Sequence, residues 1–188
     1  MHNLAQPLRV PHVDIGLRFD ISPDDERVIF SWNRSGTWEL YELPLHGAAT
    51  QSNLLPMASQ IQGAKFSPKH SPDGTMLAYA LDPDGSESYH IVIHDLKSNI
   101  STDITPCIAY AHQPNISWSP DGKMLAVISD SKGQFALFVI PVDGTPGRML
   151  KNIFHPCWDA LWSPDGQWIA VESESTASDR SIHIIPVG

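Results

Sequence analysis

Short apolar runs recur along the whole chain, each bounded by Gly, Pro, Asp, Asn or Ser. Arg27–Trp32, Met76–Leu81, Met124–Ser129 and Trp168–Ser173 form one set, and Trp38–Leu43, Tyr89–Asp95, Phe135–Pro141 and Ser181–Val187 form a second. Runs this short, rich in β-branched and aromatic residues, predict strands. No stretch keeps a 3.6-residue apolar period over three turns, so the chain reads as all-β.

The order of these elements repeats. Ser-Pro-Asp occurs at Ser22-Pro23-Asp24, Ser71-Pro72-Asp73, Ser119-Pro120-Asp121 and Ser163-Pro164-Asp165, with the prolines 44 to 49 residues apart. Proline presets the first turn position, Asp bonds back to the backbone, and a following Gly takes positive φ. A short strand leads into each turn: Leu17–Ser22, Gln62–Ser67, Asn115–Ser119 and Asp159–Ser163. Weaker fourth strands are expected at Ser52–Leu55, Ser101–Ile104 and Arg148–Lys151. Four antiparallel strands per ~45-residue unit is the arithmetic of a β-propeller blade. A β-sandwich is the alternative, but it does not require one turn motif at the same place in every unit. The units fall roughly at 15–60, 61–112, 113–156 and 157–188. Phe19, Phe66, Trp118 and Trp162, close to the turns, are expected between neighbouring blades.

The second unit departs from the pattern. Phe66-Ser67-Pro68-Lys69-His70-Ser71-Pro72-Asp73 contains Ser-Pro twice, which predicts a longer turn, as a bulge or an extended loop, or a local contact point for a partner.

Charge narrows the partners. A net charge of -9, from 12 basic and 21 acidic residues, argues against nucleic acid, because phosphate contacts need clustered Lys and Arg. No apolar run approaches the ~20 residues of a membrane span. Met1–Pro7 carries neither a basic n-region nor an apolar h-region, so a cytoplasmic location is expected. The two cysteines, Cys107 and Cys157, then read as reduced, partly buried thiols; a disulfide between neighbouring blades is the sharper alternative.

The run Ile116-Ser117-Trp118-Ser119-Pro120-Asp121-Gly122-Lys123-Met124-Leu125-Ala126, followed by Leu137-Phe138-Val139-Ile140-Pro141-Val142-Asp143-Gly144, resembles the TolB-type (PD40) propeller repeat. Asn33-Arg34-Ser35-Gly36 before Trp38-Glu39-Leu40-Tyr41 resembles the opening blade of the propeller in prolyl-oligopeptidase-family serine peptidases. In those enzymes the propeller admits only short or unfolded peptides, and a following α/β-hydrolase domain supplies Ser, Asp and His. No Gly-x-Ser-x-Gly elbow occurs in this sequence, so no triad residue carries over. The resemblance implies six to eight blades in a closed ring. Four units are therefore expected to be part of a larger propeller or a half-ring that pairs with a second copy, unless Pro7–Asp14 adds an outer strand that closes a four-bladed ring.

No cofactor or metal is expected. His90 and His94 lie on one strand face about 13 Å apart, too far to share an ion. Asp82-Pro83-Asp84-Gly85-Ser86-Glu87 resembles half of a calcium loop and reads as an acidic turn. Propellers bind ligands on loops at one end of the scaffold. Here these are Pro56–Ile61, Thr105–Pro114 and Asn152–Trp158, and Tyr110, His112, His155 and Trp158 are the candidate ligand contacts. The expected function is a non-catalytic propeller segment that contacts a peptide or protein, or a hydrolase domain, with a stand-alone interaction module as the alternative.

Overall fold

The structure, a computed structural model, describes residues 19–46, 55–106, 112–130, 133–176 and 179–188. It contains four antiparallel sheets, each used in chain order. Blade 1 is β1(Phe19–Ile21), β2(Arg27–Trp32) and β3(Glu39–Pro44). Blade 2 is β4(Ala64–His70), β5(Met76–Asp82), β6(His90–Asp95) and β7(Ile100–Asp103). Blade 3 is β8(His112–Trp118), β9(Met124–Ser129), β10(Ala136–Pro141) and β11(Arg148–Asn152). Blade 4 is β12(Cys157–Trp162), β13(Trp168–Thr176) and β14(Asp179–Pro186). The predicted fourth strands at Ser101 and Arg148 are present, as β7 and β11. Most of Ser52–Leu55, all of Pro7–Asp14 and the start of Leu17–Ser22 lie outside the described residues.

Sheets pack face to face, so the apolar core lies between blades rather than inside one. Ile29 and Leu40 of blade 1 pack on Leu77, Tyr79, Leu81 and Val92 of blade 2. Ala78, Ile91 and Ile93 pack on Ile116, Trp118, Leu125 and Val127 of blade 3. Ala126, Ile128, Leu137 and Val139 pack on Cys157, Ala160, Ile169, Val171 and Ile185 of blade 4. Trp118 and Phe66 are buried as expected; the Phe66 ring lies 5.8 Å from Trp38 of blade 1. Phe19 is not: it is exposed at the edge of blade 1.

The four Ser-Pro-Asp turns share one hydrogen-bond pattern. Each serine hydroxyl donates to the aspartate two residues on, at 2.6–2.7 Å in blades 2 to 4 and likewise between Ser22 and Asp24. The same oxygen accepts the amide five residues on, at 2.9–3.0 Å. The aspartate then accepts a further amide at 3.0–3.2 Å. These bonds, from the serine first and then the amide, hold the carboxyls of Asp24, Asp73, Asp121 and Asp165 below the usual range. The next residue is left-handed: Asp25 at φ 58°, Gly74 and Gly122 at 69°, Gly166 at 71°. These glycines also meet the previous blade. A Cβ on Gly74 would lie 3.5 Å from Pro23 Cδ, on Gly122 3.7 Å from Pro72, and on Gly166 3.6 Å from Pro120.

The doubled Ser-Pro of the second unit does not lengthen its turn. Ser71–Gly74 closes as the others do, with Gly74 N–H donating to the Ser71 carbonyl at 2.9 Å. Ser67-Pro68 sits inside β4, where the register to β5 slips between Phe66 and Lys69 and Ser67 takes φ +49°. Proline cannot donate to the ladder, so a bulge absorbs it.

Candidate functional site

The inner strands carry a polar seam from blade to blade. Two residues before the motif serine of each of the first three blades stands an acceptor for the next blade. Asp20 accepts the His70 amide at 2.8 Å, contacts His70 Nδ1 at 2.9 Å and pairs with Lys69 Nζ at 2.6 Å. The Lys69 carbonyl accepts Trp118 Nε1 at 2.9 Å, and Ser117 Oγ accepts the Trp162 amide at 3.1 Å. Burial pushes Asp20 up, but the bonds from His70 and Lys69 outweigh it and hold the carboxyl low. A second pair bridges blades 1 and 2, where fully buried Lys65 meets Glu39 at 2.7 Å and the Gly63 carbonyl at 3.2 Å. Neither cluster was foreseen from the sequence, since both depend on cross-blade register.

Of the expected ligand contacts, His112, His155 and Trp158 fall among the described residues. Tyr110 and Cys107 lie outside the described residues. His112 is not a loop residue: it opens β8, is buried, and donates Nδ1–H to the Tyr89 carbonyl at 3.2 Å. Burial lowers its pKa, which keeps the ring neutral near pH 7. It lines a crevice of about 320 Å³ between blades 2 and 3, with Ile104, Thr105, Ser129, Phe138 and Ile140. These walls suit an apolar side chain with one polar group. Thr105 is fixed there: its hydroxyl accepts the Ile91 amide at 2.7 Å and its amide donates to Asp103 at 2.8 Å. His155 is exposed on the approach to β12, beside exposed Phe154 at φ 65°, whereas Trp158 is not a loop residue: it lies within β12, with its side chain exposed. The Trp158 carbonyl accepts Asn115 Nδ2 at 3.2 Å, tying the start of β12 to blade 3.

Several other polar side chains bond within the fold. Asp82 accepts the Gly85 amide at 2.8 Å, and Asp84 accepts the Ser86 amide at 3.0 Å, so the calcium-like segment is a self-bonded turn. His90 bonds to Asp103 at 2.6 Å and His94 to Ser101 at 2.9 Å. Among the described residues no group of three or more His, Cys, Asp or Glu could hold a metal ion, and no helix is long and apolar enough to cross a membrane. Cys157 is a free, buried thiol, and burial pushes its pKa up to about 12.

Comparison with known proteins agrees with the geometry. The chain is 38% identical over 91 residues to an uncharacterized peptidase, YuxL, of Bacillus subtilis (strain 168), a match that covers 46% of this chain and 14% of that protein. Its fold superposes on a structure described as TolB from Agrobacterium tumefaciens with a TM-score of 0.73 at 21% identity, covering 90% of this chain and 60% of that one. A puromycin-hydrolyzing peptidase of Mycobacterium tuberculosis gives a TM-score of 0.69 at 16% identity, over 88% of this chain and 29% of that one. Residues 50–186 match the TolB beta propeller domain, PD40, and the chain belongs to that family.

Proposed function

We propose that this chain is the non-catalytic propeller segment of a serine peptidase, acting at the entrance to the active site and not in the chemistry. The observation that carries this reading is the 38% identity to a peptidase across 91 residues. The fold suits the role: sheets joined by buried apolar interfaces form one framework, and the exposed Phe154 and Trp158 offer apolar contacts to an extended peptide.

The test is comparative. The chain alone is expected to leave short peptide amides uncleaved. Fused ahead of the hydrolase domain of a peptidase that matches it, the propeller is expected to restrict cleavage to short substrates. Equal cleavage of short peptides and folded proteins with and without the propeller would refute the gating role. A second reading, a stand-alone TolB-like interaction module, is favoured by the 0.73 TM-score to the TolB structure. It predicts an open reading frame without a hydrolase segment, whereas the first reading predicts a downstream Gly-x-Ser-x-Gly segment.

A further inference from the structure

The three seams between blades differ in chemistry. Blades 2 and 3 are tied by Trp118 Nε1 on the Lys69 carbonyl and His112 Nδ1 on the Tyr89 carbonyl. Blades 3 and 4 are tied through the Ser117 hydroxyl and the carbonyls of Trp158 and Val187. Blades 1 and 2 are tied through carboxylates. Glu39 takes the ammonium of Lys65, whose side chain is 0% exposed, and Asp20 takes both Lys69 Nζ and the His70 ring. These two charged clusters sit at opposite ends of β4, Lys65 near its start and His70 at its end. Between them Ile29 and Leu40 pack on Leu77, Tyr79, Leu81 and Val92. β4 is itself irregular there: its register slips between Phe66 and Lys69, and buried Ser67 holds φ +49°.

Closure of this seam also leaves polar atoms without a partner. His70 Nε2 is buried and unbonded. Ser31 stands opposite Leu40 on the face of blade 1 that packs on blade 2, and its buried hydroxyl is likewise unbonded. Burying a polar atom without a bond costs free energy that hydration returns. Water also returns much of what it costs to desolvate a buried ion pair. An apolar seam only loses on opening, since its stability is area removed from water. Polar interfaces between packed units therefore favour relative motion. We propose that the seam between blades 1 and 2 is a hinge, latched at the two ends of β4 by Glu39 with Lys65 and by Asp20 with Lys69 and His70. It opens while blades 2, 3 and 4 stay packed on one another. This proposal is independent of the peptidase reading.

Thiol labelling tests it. Ser31→Cys places a thiol in the first seam, and native Cys157, buried between blades 3 and 4, is the matching thiol of an apolar seam. Both are followed in one chain with a thiol reagent in non-denaturing buffer, each read in its own peptide by mass spectrometry. The thiol at position 31 is expected to be modified about tenfold or more faster than Cys157. The pair Glu39→Met, Lys65→Met replaces the buried ion pair by apolar side chains, and is expected to slow that modification while leaving Cys157 unchanged. Equal rates, faster modification of Cys157, or a rate that the methionine pair leaves unaltered would overturn the proposal. Hydrogen exchange on the unmodified chain in low urea gives a reading that does not depend on a variant folding. The Lys65 amide donates to the Trp38 carbonyl across the first seam at 2.9 Å, and the Trp162 amide to Ser117 across the third at 3.1 Å. Lys65 is expected to exchange first. Exchange of Trp162 first, or of both in one step with the β9 amides, would overturn the hinge equally.

Discussion

Ser119 donates to Asp121 and accepts the Met124 amide, so one buried hydroxyl closes both sides of its turn. Ser119→Ala leaves that amide and carboxylate without their partner and is expected to cost about 1–3 kcal/mol in urea unfolding. Gly122→Ala must hold φ near 69° with a Cβ, and is expected to cost about 1–2 kcal/mol. A neutral Gly122→Ala would show that the left-handed turn is not required there. These residues were legible in the sequence because a turn is a local object: Ser, Pro, Asp and Gly meet their partners within a few positions. Lys65 was not legible. Its partner Glu39 lies on another blade, and only the register of the two sheets reveals the contact.

At the scale of strands and seams, charge is used sparingly and in pairs. Glu39→Ala strands a fully buried ammonium and is expected to cost roughly 3–5 kcal/mol, while Lys65→Met strands a carboxylate that keeps some solvent contact and costs less. Equal costs in chemical denaturation would show that burial of the lysine does not set the penalty. Acid acts on a different set. Burial lowers the pKa of His94 and of His112, so both resist protons that the unfolded chain accepts near pH 6.5. Their contribution is full above about pH 6.5 and is lost as pH falls toward the lowered folded values. The urea midpoint is expected to drop on that descent, and His112→Gln to flatten the slope; an unchanged slope would remove His112 from the account. A second loss is expected below the usual carboxylate range, where Asp20 and the motif aspartates, all held low in the fold, take up protons. The strands themselves were readable from apolar runs and came out within a few residues of their expected bounds. The bulge at Ser67-Pro68 was readable only as a choice between bulge and longer turn, because a second Ser-Pro looks the same in a strand as in a loop.

In the whole molecule, blades 2 and 3 are packed on both faces and blade 4 on one. Stability in stacked arrays is close to a sum of units and nearest-neighbour interfaces. Amides of β13 and β14 are therefore expected to exchange faster than those of β5 and β9 in dilute protein, and uniform protection would point to one global unit instead. The propeller class was legible from the repeat alone. The site was less so: His112 looked like a loop contact and is a buried strand residue, because the slipped register of β8 against β9 starts the strand before the proline at 114. The contacts of Gly74 on Pro23, Gly122 on Pro72 and Gly166 on Pro120 carry a further meaning. Blades 2 and 3 each bring a ring on one flank of the turn and a side-chain-free notch on the other, while blade 1 contributes its ring and blade 4 its notch. A segment copied in tandem arrives with both halves of its own joint, so such arrays can gain or lose members by duplication and deletion without any new interface having to be invented.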